Sequence, residues 1–422
     1  MFSLLNRLFS RIFDRLTGSK KVVAVGLMMA VAFGVIWAEN YIERDIIIDA
    51  TWTGNNGREW TALANWTGIT DISQLKEAAT VTIPSGLTNY PIASAATSIT
   101  LAGDLVIEDG ANVIFSGTTV LNTVTSPNGE ITIGTDTLTI NGKASLKKVT
   151  LGNGGIFTSN ADLTLGTIEG GISSKLYFNE GTGAQTTTLT NLAFSPNTIS
   201  FGNDASDKFN MGASGTGTLD ISGSANVTLA GTINSSNLTL NDSPSLSANT
   251  TLPNIILARD TEITGSAYTL TFNGTVNSDT TAKNLTITSK KLDIVKPLGA
   301  TTHLNNFTLN GPSANDAAFE GVNDSSITCD GNFKINGKAT FRGDISAASV
   351  AITNDMTFGS YCAQVTTTGT QTYGKPTTPA AVTLYRMYSS GNEPYVDSPV
   401  AFISTTGPIC WIGRNSISFC WM

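Results

Sequence analysis

From about residue 80 the chain repeats a three-residue pattern in which a polar residue, usually Thr, stands between two apolar ones. Val81-Thr82-Ile83, Ile99-Thr100-Leu101, Leu138-Thr139-Ile140, Leu163-Thr164-Leu165, Leu238-Thr239-Leu240, Leu285-Thr286-Ile287 and Met356-Thr357-Phe358 are examples. Residues two apart share one side of a β-strand, so each triplet sends two apolar groups inward and one hydroxyl outward. The pattern predicts short, half-buried strands. Between them stand Asp109-Gly110, Asn128-Gly129, Asn141-Gly142, Asn153-Gly154, Asn273-Gly274, Asn310-Gly311, Asp330-Gly331 and Asn336-Gly337. Asn and Gly tolerate the positive φ of sharp corners. Only the first residues and the stretch DISQLKEAA (71–79) interrupt this reading. The chain is predicted to be all-β.

Many short strands with Gly-rich corners suit either tandem β-sandwich modules or a solenoid. Sandwich modules often place a core Trp in each repeat of about 100 residues, yet residues 67–410 contain none. The triplets also recur too closely for sandwiches. Drifting internal copies support repetition: INGKA stands at 140–144 and 335–339, and GANVIFSG at 110–117 is echoed by SANVTLAG at 224–231. The predicted fold is a single-stranded right-handed parallel β-helix with roughly 20 to 25 residues per coil.

Trp52, Trp60 and Trp66 cluster just before the first triplet. A β-helix exposes unpaired strand edges and an open core at its ends. Large rings that bury much area and still offer an N–H suit a cap there. The alternative is a glycan-binding platform, which requires exposed, coplanar indoles.

Composition narrows the classes. Charged residues make up 13% of the chain, and Gly, Thr, Ser and Asn dominate the polar positions. Residues 1–38 read as a signal peptide: Arg7, Arg11, Arg15, Lys20 and Lys21 precede an uncharged apolar run from Val22 to Ala38. That run is short for a membrane span, so none is expected in the mature chain. Cleavage near Ala38 removes five of the 24 Lys and Arg and one of the 32 Asp and Glu, leaving a formal net charge of −12. No basic stripe remains for nucleic acid. The remaining chain divides into a cap with first strands (39–98), the β-helix (99–374) and an irregular tail (375–422). Five of the 13 prolines fall in that tail, where regular coils are expected to stop, and it ends in CWIGRNSISFCWM. It is either a second cap or the altered end of a longer protein. Cys329, Cys362, Cys410 and Cys420 show no C-x-x-C spacing, so neither a zinc site nor a redox motif is expected.

Catalysis on such a fold needs carboxylates, or basic groups with carboxylates, gathered on one exposed face. The acids here are scattered. NDASD (203–207) and Asp324 are candidates only as corner residues, His303 is the only histidine, and GNGG (152–155) lacks the strand and helix context of a phosphate loop. No catalytic residue, metal ligand or cofactor is expected. Arg342-Gly343-Asp344 spells a cell-attachment tripeptide, although its neighbours Phe341 and Ile345 place it at a corner between strands. Sequons at Asn237, Asn273, Asn284 and Asn306 follow from an Asn- and Thr-rich composition.

The run from Trp52 through EW, ANWT and TVTIPSGLTNYPI to Ile92 resembles the N-terminal portion of repetitive bacterial surface proteins. TTTGTQTYG (366–374) is similar to a motif of haemagglutinin-like β-helix repeats in exported adhesins. The resemblance implies a non-catalytic extracellular solenoid for display or attachment, whose partner is a host or cell-surface glycan or protein. The alternative is a secreted carbohydrate-active β-helix enzyme.

Overall fold

In strands such as Thr80–Ile83, Thr137–Ile140 and Gln364–Thr367, every second residue is buried and the Thr between them is not. This is the period-two alternation the triplets carry. Three such strands, each followed by a corner, make one coil. The computed structural model describes residues 47–94, 97–313, 317–321, 325–358, 364–374, 382–384, 401–404, 409–412 and 418–421. Within them the chain is nearly all strand, with parallel coils stacked into a β-solenoid of about 14 turns. The signal peptide expected at 1–38 lies outside the described residues.

Three faces run along the stack. The first starts with Asp49–Trp52 paired parallel to Thr80–Ile83, then Asp104–Ile107. It passes through the register Thr125, Ser145, Thr164, Thr188 and ends at Met356–Phe358 against Val382–Leu384. The second runs from Ile92–Ala93 and Asn112–Phe115. After the 3-10 turn Ala213–Gly215 it continues through Thr218–Asp220, Asn237–Leu240, Ile255–Leu257 and Val276–Ser278, and reaches Ala401–Ser404. The third extends from Ile99–Thr100 and Thr119–Leu121 to Ile409–Ile412. Side-chain hydrogen bonds between stacked corners join residues 17 to 27 apart, which brackets the expected coil length.

Parallel pairing begins at Asp49, within the segment expected to hold the cap and first strands. It also continues past Gly374, because Val382–Leu384, Ala401–Ser404 and Ile409–Ile412 each add a rung to their face. The five tail prolines all lie outside the described residues. The DISQLKEAA stretch forms only a 3-10 helix, Ile72–Lys76, started by a capping box between Asp71 and Gln74.

The interior is a column of aliphatic and aromatic side chains. Phe178 lies 5.9 Å from Phe157 and 5.3 Å from Phe209, and Phe201 meets Phe209 edge-on at 4.7 Å. Farther along, Phe307 stacks on Phe333 at 5.1 Å, and Phe319 and Phe341 are also 5.1 Å apart. Each fully buried ring contributes roughly 1.5–3 kcal/mol. The corners are tied by amide ladders. Asn284 binds Asp260 and accepts from Asn306, whose own carbonyl accepts the Asn332 N–H. Asn234 donates to Asn210, and Asn336 to Asn310. The Asn-rich corners are therefore hydrogen-bonded from coil to coil, on the outside of the stack.

Candidate functional site

Charges that sequence reading took as scattered come together on the first face, as Glu130, Lys147, Lys148 and Glu169 also do on the second. Lys291 and Asp293 lie on one rung, Ala318 and Glu320 on the next, Lys338 and Thr340 on the third, and Asp355 and Thr357 on the fourth. Their backbones are about 4.8 Å apart from rung to rung. Ala318, small between the two lysine stems, leaves an open groove of about 440 Å³ lined by Lys291, Ala318, Glu320, Lys338, Asp355 and Thr357 among others. Lys291 bridges both flanking carboxylates, Asp293 at 3.0 Å and Glu320 more closely. The Glu320 carboxylate, hydrogen-bonded to the ammonium, raises the Lys291 pKa above its ordinary value against partial burial, and Asp293 adds to the effect. A lysine held protonated in this way is a poor proton acceptor and a good anchor.

These residues were missed because they come from four coils, so nothing in the local sequence groups them. One signal was available. In Leu292-Asp293-Ile294 and Phe319-Glu320-Gly321 an acid occupies the central position that Thr usually holds.

The three tryptophans are buried, with Trp52 at 0%, Trp60 at 2% and Trp66 at 5% exposure. Trp52 meets Trp66 edge-on at 5.0 Å, Trp60 meets Trp66 at 4.9 Å, and Trp60 reaches Phe115 at 5.4 Å. Two indole N–H groups are satisfied inside: Trp52 Nε1 donates to the Asn89 carbonyl at 2.7 Å and Trp66 Nε1 to the Trp60 carbonyl at 2.8 Å. This corrects the glycan-platform alternative. Interplanar angles of 79° and 75° offer no coplanar surface, and burial leaves no open ring face for a sugar. The cluster instead fills the interior beside the first coils.

Arg342-Gly343-Asp344 turns the corner between Asn332–Phe341 and Ile345–Ala347, with Arg342 and Asp344 exposed and Gly343 buried. A Cβ at Gly343 would stand 2.3 Å from the Ser325 carbonyl carbon. The Asp344 carboxylate accepts the Gln364 N–H at 2.9 Å, and its backbone carbonyl accepts the Ile327 N–H at 2.8 Å. The tripeptide is thus bound into the stack on both sides rather than raised on a loop.

The remaining candidates serve the backbone. Asp207, fully buried, accepts N–H groups from Gln185, Asn203 and Asp204. Asp204 accepts from the Ser206 hydroxyl and N–H, which hold its pKa below the ordinary value. His303 pairs through Nδ1 with exposed Asp330 at 2.7 Å, while the Ser278 hydroxyl goes to the His303 backbone carbonyl and not to its ring. No triad geometry results. Asn153-Gly154 lies in a tight corner of GNGG, with Gly154 at φ 91°. Cys329 is buried and free, and burial pushes its thiol up to about 12. Of the sequons, Asn284 and Asn306 are committed to the corner ladder, and Asn273 is exposed. Asp324 and Cys362 lie outside the described residues. Among the described residues no cluster of three or more His, Cys, Asp or Glu side chains could hold a metal ion, and no helix is long and apolar enough to cross a membrane.

No family model, no curated protein and no solved structure matches this chain.

Proposed function

We propose that the chain is an exported cell-surface β-solenoid with a structural or adhesive role and without catalytic activity. One observation carries the reading: the outer faces present continuous, largely uncharged ladders, such as Thr125, Ser145, Thr164 and Thr188, and Asn- and Asp-tied corners. Repeated hydroxyl and amide groups at a fixed rung spacing suit weak, multivalent contact with a glycan or an extended peptide on another surface. The resemblance to haemagglutinin-like repeats points the same way, and a surplus of acids suits an exposed, self-repelling surface. The test is binding of the purified full-length chain to cultured host cells and to a glycan array. Saturable binding to either is expected. Absence of binding to both, together with turnover of a polysaccharide, overturns the reading.

A second reading is favoured by the groove around Lys291, Asp293, Glu320, Lys338 and Asp355, which has the gathered charges that a carbohydrate-active β-helix requires. It predicts release of reducing ends or unsaturated sugars from a polysaccharide panel, abolished in Glu320→Gln. Unchanged release by that variant, or no release by the wild type, rejects it.

A further inference from the structure

The last two described strands break the parallel rule. Ile409–Ile412 is the final rung of the third face, parallel to Gln371–Tyr373, and Ser418–Trp421 pairs with its other side in the antiparallel sense. The register sets Cys410 directly opposite Cys420, with Ile409 opposite Trp421 and Trp411 opposite Phe419. Alternation then divides the pair into two sets. Ile409, Trp411, Phe419 and Trp421 occupy one set of register positions, and Cys410 and Cys420 the other. Along the parallel ladder, Trp411 follows buried Tyr373, whereas Cys410 follows Thr372, which is not buried.

We propose that Cys410 and Cys420 form a cross-strand disulfide that staples this terminal pair as a cap on the end of the third face. Directly opposed residues of an antiparallel pair have Cα atoms about 4.5 or 5.5 Å apart. Both spacings fall inside the roughly 4.4–6.8 Å that a disulfide bridges. Among the described residues no other cysteine stands in such a register. The other ladder neighbour of Cys410 is Thr372, and Cys329 is enclosed in the interior three rungs back on the second face. An antiparallel strand occupies the hydrogen-bonding edge of Ile409–Ile412 that would accept another chain. The reaction joins two thiols into one disulfide, releasing two protons and two electrons. The electrons pass to a disulfide oxidant such as glutathione disulfide, which is reduced to two thiols.

The inference does not depend on export, because it is tested on purified protein. The full-length chain is equilibrated in a glutathione redox buffer, alkylated without reductant and digested with trypsin. Arg386 and Arg414 place Cys410 in peptide 387–414 and Cys420 in peptide 415–422. The expected product is the two peptides covalently joined and separated by reduction, with hydrogen exchange at 409–421 accelerated in both the reduced chain and Cys410→Ser. Recovery of both peptides singly alkylated, or of Cys420 joined to Cys362, overturns the proposal.

Discussion

Each indole of the N-terminal cluster is in contact with at least one other ring, and two have buried N–H partners, so replacing one removes packing and strands an acceptor together. Trp66 touches both of the others. Trp66→Ala is expected to lower stability by about 3–5 kcal/mol, read as a fall in the denaturant midpoint, with Trp66→Phe intermediate. A midpoint unchanged in Trp66→Ala would mean that the cluster is an appendage. Carboxylates supply a pH-dependent counterpart. The Ser73 hydroxyl lowers the Asp71 pKa, the Ser206 hydroxyl lowers that of Asp204, and the Thr280 backbone N–H lowers that of Asp279, each from 3.8. A folded-state pKa below the unfolded one contributes stability that is present above the unfolded value and is lost as pH falls through the folded one. The wild type should therefore melt above D71N/D204N/D279N at neutral pH, with the gap closing below about pH 3.8. A gap independent of pH would assign the effect to shape rather than charge. The aromatic cluster was legible in the sequence because three Trp within fifteen positions have few uses. The role of Asp207 was not legible, because a polar residue that turns inward to satisfy the backbone looks in sequence like any corner residue.

Strands were legible because the Thr-centred triplet states its own period, but the Asn-Gly and Asp-Gly pairs did not state their φ. Gly110 and Gly154 stand at positive φ, whereas Gly129, Gly142, Gly274, Gly331 and Gly337 do not, and Gly129 and Gly337 lie inside strands. The pairing of corners across coils is a different kind of information. Asn306 accepts the Asn332 N–H at 2.7 Å and donates to Asn284 at 2.7 Å, yet these residues are 26 and 22 positions apart, and the spacing drifts from coil to coil. The charged groove was hidden for the same reason. Asn306→Ala should cost about 1 kcal/mol per hydrogen bond lost, and a double-mutant cycle with Asn284→Ala should give coupling of about 0.5 kcal/mol or more. Purely additive costs would show that the ladder is a chain of independent corners. Gly343 is under a steric demand instead. An added Cβ would meet the Ser325 and Ser326 backbone at 2.3 and 2.4 Å, which no rotamer can relieve. Gly343→Ala is expected to destabilise by about 1–3 kcal/mol through separation of the two coils, seen by thermal melting. Asp344→Glu separates geometry from recognition at the same corner. Cell adhesion that survives Asp344→Glu in a folded protein leaves Arg342-Gly343-Asp344 a structural corner, whereas its selective loss would make the tripeptide a receptor site.

At the scale of the solenoid, each coil contacts chiefly the coils before and after it, so stability is a sum of coil terms and interfaces between neighbours. That picture makes deletion a sharper probe than substitution. Ser145 and Thr164 hold the same register position on successive coils of the first face. Removing residues 146–164 therefore joins Ser145 to Leu165, which takes the inward position that Leu146 vacates, and every later triplet keeps its phase. Removing 146–155 instead takes away half a coil and leaves the following strands on the wrong faces, with apolar residues turned out and Thr turned in. The full-coil deletion is expected to fold, with its denaturant m-value reduced in proportion to about one turn in 14, and the half-coil deletion is expected to aggregate. If the two behave alike, the coils are not interchangeable units, and the molecule depends on contacts that reach beyond nearest neighbours. If they differ as expected, variation in ladder length is compatible with folding, and any surface function that depends on the number of rungs can be varied without rebuilding the interior.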